Sequence, residues 1–126
     1  MARRLVAGQR VGELESDVLE LLWSARSWLS GREVWERLGG EPRAYTTVLT
    51  VLGRLVDKGL VERSTHDGAH RFRAAGDVDE LTAQAIRSLL AATENPRAVL
   101  AHFVDGLDDP QLLADLADAL RRVRPR

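Results

Sequence analysis

The sequence predicts a mainly α-helical chain carrying one small β-hairpin, and three observations support this. Apolar residues recur at helical spacing in several separate stretches, an Asp-Gly pair sits between two short extended runs, and Gly or Pro marks the junctions. With 126 residues, 44% of them hydrophobic, the chain is near the common size of one compact domain and can bury a core. It contains no cysteine, which removes disulfides, thiolate metal sites and cysteine nucleophiles and suits a reducing compartment. Apolar runs are cut by Glu, Asp or Arg far short of the roughly 20 residues that span a bilayer. The start, Met1-Ala2-Arg3-Arg4, has no signal-peptide core. A soluble cytoplasmic protein without membrane contact is expected.

Residues 1–10 are small and polar with three arginines and no periodicity, so they read as a flexible arm. From Glu13, the positions Leu14, Val18, Leu21, Leu22 and Ala25 recur at helical spacing and predict a first helix ending near Ser24. Trp28 and Leu29 form a short apolar bridge. Ser30, followed three residues later by Glu33, is a capping box that opens a second helix through Leu38, and Gly39 and Gly40 stop it. After Pro42 comes a third helix over residues 44–58, ended by Gly59. On it Val48, Val51, Leu52 and Leu55 share one face, while Thr46, Thr47, Thr50, Gly53, Arg54 and Asp57 lie opposite. Residues 60–73 change to extended character around His66-Asp67-Gly68-Ala69, a hairpin signal.

Three helices followed at once by a basic hairpin make a winged helix-turn-helix, assigned to residues 1–75. Residues 76–126 read as a helical region, with helices over 78–93, 97–105 and 110–122; Asn95-Pro96 and Asp109-Pro110 supply two of the starts. Its apolar stripes include Leu89, Phe103, Leu112, Leu113, Leu116 and Leu120. Three short amphipathic helices cannot bury all their faces alone, so these residues are assigned to dimerisation with a second copy.

Charge supports the division. The net charge is only −1, which argues against a protein that coats nucleic acid indiscriminately. Yet Arg43, Arg54, Lys58, Arg63, Arg71 and Arg73 outnumber Asp57, Glu62 and Asp67 in the stretch 43–73, while acidic residues prevail from Ala74 onward.

In a helix-turn-helix the second helix of the pair enters the major groove and the helix before it braces the backbone. Thr46, Thr47 and Thr50 can meet phosphates, base edges and thymine methyls. Threonine is also a poor choice for a merely solvated helix face, because β-branching costs helix stability. Arg54 and Arg43 are candidate clamps on guanine or phosphate. Tyr45 has two open readings, donating to a phosphate or packing on the second helix. In the hairpin, alternation puts Arg71 and Arg73 on one face, suited to a phosphate backbone, and Phe72 on the core side with His70. Trp23, Trp28 and Trp35 read as structural packing. His66, His70 and His102 show no metal-ligand spacing. No catalytic or metal residues and no cofactor are assigned: the chain has no phosphate loop, nucleophile elbow or HExxH motif.

The runs Leu14-Glu15-Ser16-Asp17-Val18-Leu19-Glu20-Leu21-Leu22-Trp23, Arg32-Glu33-Val34 and Ala44-Tyr45-Thr46-Thr47-Val48-Leu49-Thr50-Val51-Leu52-Gly53-Arg54-Leu55 resemble the penicillinase repressor family of BlaI/MecI type. The likeness spans about residues 12–72. It implies a homodimeric winged-helix repressor on a palindromic double-stranded DNA operator, controlling antibiotic-resistance or envelope-stress genes, with Thr47, Thr50 and Arg54 in the recognition helix. It also implies inactivation by a protease in the tail, where the His102–Phe103 bond is the candidate. Copper-responsive relatives carry tail cysteines, and this chain has none. The alternative function is a winged helix used for protein contact alone, without specific DNA binding.

Overall fold

The apolar periodicities become six helices and two small sheets in a computed structural model that describes residues 4–123. In chain order these are β1 (Arg4–Val6), β2 (Gln9–Val11), α1 (Glu13–Ala25), β3 (Leu29–Ser30), α2 (Gly31–Arg37), α3 (Tyr45–Asp57), β4 (Val61–His66), β5 (Ala69–Ala74), α4 (Val78–Ala92), α5 (Pro96–Asp105) and α6 (Pro110–Arg122).

The flexible arm expected over residues 1–10 is replaced, from residue 4 on, by an antiparallel hairpin pairing Leu5 with Arg10 and Val6 with Gln9. Residues 1–3 lie outside the described residues. The turn residues Ala7 and Gly8 both have positive φ, 51° and 77°, the signature of a two-residue type I′ turn. The hairpin holds because Val6 and Val11 are buried in the core, and because it is tied to the end of α3. Gln9 Nε2 donates to the Lys58 carbonyl at 2.6 Å, and Lys58 Nζ donates to the Arg10 carbonyl at 2.9 Å. The same ammonium meets Glu15 Oε2 of α1 at 2.7 Å, joining three elements at one charge.

α1 buries Val18, Leu19 and Leu22 and runs to Ala25, one residue past the expected end near Ser24, with Arg26 in the left-handed region as its C-cap. The capping box of α2 is present in both directions. Ser30 Oγ accepts from the Glu33 N–H at 3.1 Å, and Glu33 Oε1 accepts from the Ser30 N–H at 2.9 Å. Ser30 also belongs to β3, the third strand of a sheet ordered β3-β5-β4, with Leu29 opposite Phe72 and Ser30 opposite Arg71. Leu29 of the expected apolar bridge thus opens a strand, with Trp28 just before it. The Asp67-Gly68 turn closes β4 onto β5 with His66 opposite Ala69, as the hairpin signal requires. α3 buries Val48, Val51, Leu52 and Leu55, and Gly59 at φ 77° releases the chain into β4.

Contacts divide the chain into two units, Met1–Ile86 and Arg87–Arg126, later than the 75/76 boundary read from the sequence. The first turns of α4 stay with the first unit because Leu81 is buried in its core. In the second unit α5 is capped by Asn95, whose Oδ1 accepts from the Ala98 N–H at 3.1 Å. Asp109 Oδ1 caps α6 by accepting from the Gln111 N–H at 2.9 Å. Pro follows each cap at the first helical position, where its missing N–H costs nothing. None of the residues 87–123 is buried.

Candidate nucleic-acid interface

The outward side of α3 is built by what its inward side must do. Val48, Leu52 and Leu55 are fully buried, so the helix cannot rotate about its axis, and Thr46, Thr47, Thr50 and Arg54 are fixed in the exposed position. Thr50 Oγ1 donates to the Thr46 carbonyl at 3.0 Å, which uses its proton within the helix and turns its methyl and oxygen lone pairs outward. A Cβ built on Gly53 would meet nothing within 4 Å, so the middle of this face is low and open. Arg54 makes no ion pair among the described residues; its charge contributes to holding the Glu15 carboxyl down.

Arg43 lies in the α2–α3 turn. Its Nη1 donates to the Leu38 carbonyl at 3.2 Å, and its own carbonyl accepts from Trp35 Nε1 at 2.7 Å. Residues 38–43 line a surface hollow of about 520 Å³. Tyr45 packs on the second helix, as one of its two readings has it. Its ring stands edge-on to Trp35, with centroids 6.0 Å apart and planes at 77°. The Arg32 guanidinium lies over both rings, 5.3 Å from the Tyr45 centroid and 5.7 Å from that of Trp35. Helices α2 and α3 approach so closely there that a Cβ on Gly31 would come within 2.5 Å of Leu49 Cδ2.

On the wing, alternation places Arg71 and Arg73 on the outward face as expected, but their surroundings differ. Arg73 Nε donates to Glu62 Oε1 at 2.8 Å, and its guanidinium stacks on Trp28 at 4.4 Å from the ring centroid. Its charge is therefore already engaged, and the phosphate role read from the sequence has to compete with these partners. Arg71, opposite Ser30 and Ser64, lines a shallow hollow of about 300 Å³ with Trp28, Ser64 and His66. The Glu33 carboxyl is held below its usual range by the Ser30 N–H and hydroxyl, with Arg71 and Arg37 adding to the effect. Phe72 is buried, and the His70 ring nitrogen Nδ1 pairs with Thr65 Oγ1 at 2.9 Å, a local bond.

Arg32, part of a run that carries the resemblance, was not read from the sequence as a site residue. The signal was present, since Arg32 and Trp35 stand three apart on one helix, the spacing at which side chains meet. Lys58, counted there among the cations of the stretch 43–73, is a structural tie. No group of three or more His, Asp or Glu among the described residues could hold a metal.

The sequence model of the penicillinase repressor family matches residues 11–123. The chain belongs to the penicillinase repressor family. It is 42% identical over 117 residues to the transcriptional regulator BlaI of Mycobacterium tuberculosis strain CDC 1551 / Oshkosh, covering 90% of this chain and 81% of that protein. BlaI of strain ATCC 25618 / H37Rv gives the same values. Among solved structures, the YusO protein from Bacillus subtilis is similar with a TM-score of 0.48 at 18% identity, over 90% of this chain and 77% of that one. A mutant of MepR from S. aureus, bound to an oligodeoxyribonucleotide, has a TM-score of 0.48 at 17% identity, over 90% and 80%. The family match extends through the helical tail, well past the residues that carry the resemblance in sequence. As a penicillinase repressor family member the chain is a DNA-binding transcriptional repressor of winged-helix fold. No helix among the described residues is long and apolar enough to cross a membrane.

Proposed function

We propose that this penicillinase repressor family protein works in the cytoplasm as a homodimer on a palindromic operator, with α3 in the major groove and the wing on the flanking backbone. The observation that carries the reading is the exposed face of α3, where Thr46, Thr47, Thr50 and Arg54 surround the open patch at Gly53 above an immovable apolar underside. Hydroxyls and one arginine on a groove-sized helix suit base edges and phosphates together. Arg43 supports the turn, and Arg71 is the wing cation placed for the backbone; Tyr45 acts by packing, and Arg73 contributes only if it leaves Glu62.

Dimerisation is supported by the second unit, which has apolar stripes and no buried residue among the described residues. Leu89, Phe103 and Leu120 are 73%, 52% and 65% exposed, and Leu112 is exposed beside half-buried Leu113 and Leu116. Apolar surface of this kind on helices marks an association site. The regulated genes are proposed to serve β-lactam resistance or envelope stress. An inactivating protease is proposed to cut between His102 and Phe103. Both side chains are exposed in the last turn of α5, so cleavage requires that turn to unwind.

The test is a salt-series titration of the protein against a duplex from its own upstream region, beside a scrambled duplex of equal length. The reading requires tighter binding to the upstream duplex and a steep loss of affinity with salt. Thr47→Ala should lower affinity for the upstream duplex by about 1 kcal/mol and leave the scrambled duplex unaffected. Weak, salt-insensitive binding to both duplexes would instead favour a protein-contact module.

A further inference from the structure

We propose that Arg32 is a phosphate-binding residue of the DNA interface, held ready by the aromatic faces of Trp35 and Tyr45. The inference rests on the DNA-binding reading and adds a contact to it. Three observations place the group. First, Arg32 is exposed, and its guanidinium makes no ion pair among the described residues, so its N–H groups remain available to an incoming anion. Second, the guanidinium is confined. It lies 5.3 Å from one ring centroid and 5.7 Å from the other, and those rings are themselves locked edge to face at 6.0 Å. Trp35 is anchored in turn by its Nε1 bond to the Arg43 carbonyl, 2.7 Å. A free arginine loses rotamer entropy when it binds, and one already stacked has lost much of it beforehand.

Third, the position is right for a groove edge. At 3.6 residues per turn, Tyr45 and Leu49 lie along the flank of α3 that faces α2, as their closeness to Gly31 confirms, and Arg54 falls on the opposite flank. A helix in a major groove about 12 Å wide has a phosphate strand on each side. Arg54 would address one strand and Arg32 the other, with the threonines between them. A cation stacked on aromatic rings keeps its charge and its edge donors, because the ring meets the guanidinium plane and leaves its rim free.

Arg32→Gln is compared with wild type by salt-series titration on both the upstream and the scrambled duplex, with Arg37→Gln, also on α2, as control. The expected result is a weakening of about fivefold for Arg32→Gln, equal on both duplexes because phosphates carry no sequence. The slope of log affinity against log salt should fall by about 0.9, while Arg37→Gln leaves it unchanged. Arg32→Lys should restore the slope but not the full affinity, since an ammonium is held less well on the two rings. An unchanged slope in Arg32→Gln, or an equal fall in Arg37→Gln, overturns the contact. Full affinity in Arg32→Lys overturns the aromatic holding. If wild type itself shows no salt-dependent binding, the DNA reading fails, and this inference with it; if only the variant comparison fails, the DNA reading stands.

Discussion

Arg71 and Arg73 lie two residues apart on one strand and share a face, yet Arg73 is paired with Glu62 while Arg71 makes no ion pair among the described residues. Arg71→Gln should reduce the salt slope of DNA binding by about 1. Arg73→Gln should leave the slope alone and lower stability by at most about 1 kcal/mol, as expected for a half-exposed pair; equal slopes in the two variants would refute the distinction. The pairing was legible in part. An Asp67-Gly68 turn implies, by counting back along both strands, that Glu62 faces Arg73. The ring of Trp28 beneath Arg73 was not legible, because the third strand that brings it there is only two residues long. Glu15 is a second residue whose role needs the fold. Burial pushes its carboxyl up, but the Lys58 ammonium and the Gly12 N–H outweigh this and hold it below the usual range. A depressed folded-state pKa contributes stability that is present above the unfolded value, about 4.5, and lost as pH falls through the folded one. Thermal melts from neutral to acid pH should therefore show a falling limb below that value, and Glu15→Gln should flatten it. An unaltered limb would mean other carboxylates carry it.

At the scale of elements, what could be read was whatever the chain signals locally. The capping box at Ser30 and Glu33, the Asp-Gly turn, and the Asn-Pro and Asp-Pro helix starts all act within a few residues, and each appears at or within a residue or two of its expected place. The hairpin of β1 and β2 did not announce itself. Its turn is Ala7-Gly8, and alanine at positive φ is tolerated only because burial of Val6 and Val11 and the Lys58 tie compel it. Ser30 serves two elements at once, as the cap of α2 and as a strand residue beside Arg71. Ser30→Ala should cost about 1 kcal/mol, a loss of about 4–8 °C in melting temperature for a unit of this size. A change within error would show that the Glu33 half of the box suffices.

For the whole molecule, the division of labour between the two units makes a separable prediction. Leu116→Asp should shift sedimentation toward the monomer and weaken operator binding together, because two half-sites engaged at once bind far more tightly than one. The winged unit should keep its melting transition, since its core contains no residue beyond Leu81. Unchanged sedimentation would remove that helix face from the interface. The charge asymmetry hinted at this arrangement, but it did not show that Lys58 and Arg73, two of the cations of the basic stretch, are paired with Glu15 and Glu62 within the chain.

All three tryptophans, and the one tyrosine, fall in the first unit. Tyr45 opens α3, Trp35 packs against it and Trp28 lies beneath Arg73 of the wing, while the helices from residue 87 onward contain no tryptophan or tyrosine. Intrinsic emission from this protein is thus a reporter of the DNA half alone. Quenching or a colour shift on adding duplex would be read from the winged unit without contamination, and a single fluorophore attached to the tail would follow subunit exchange in the same cuvette.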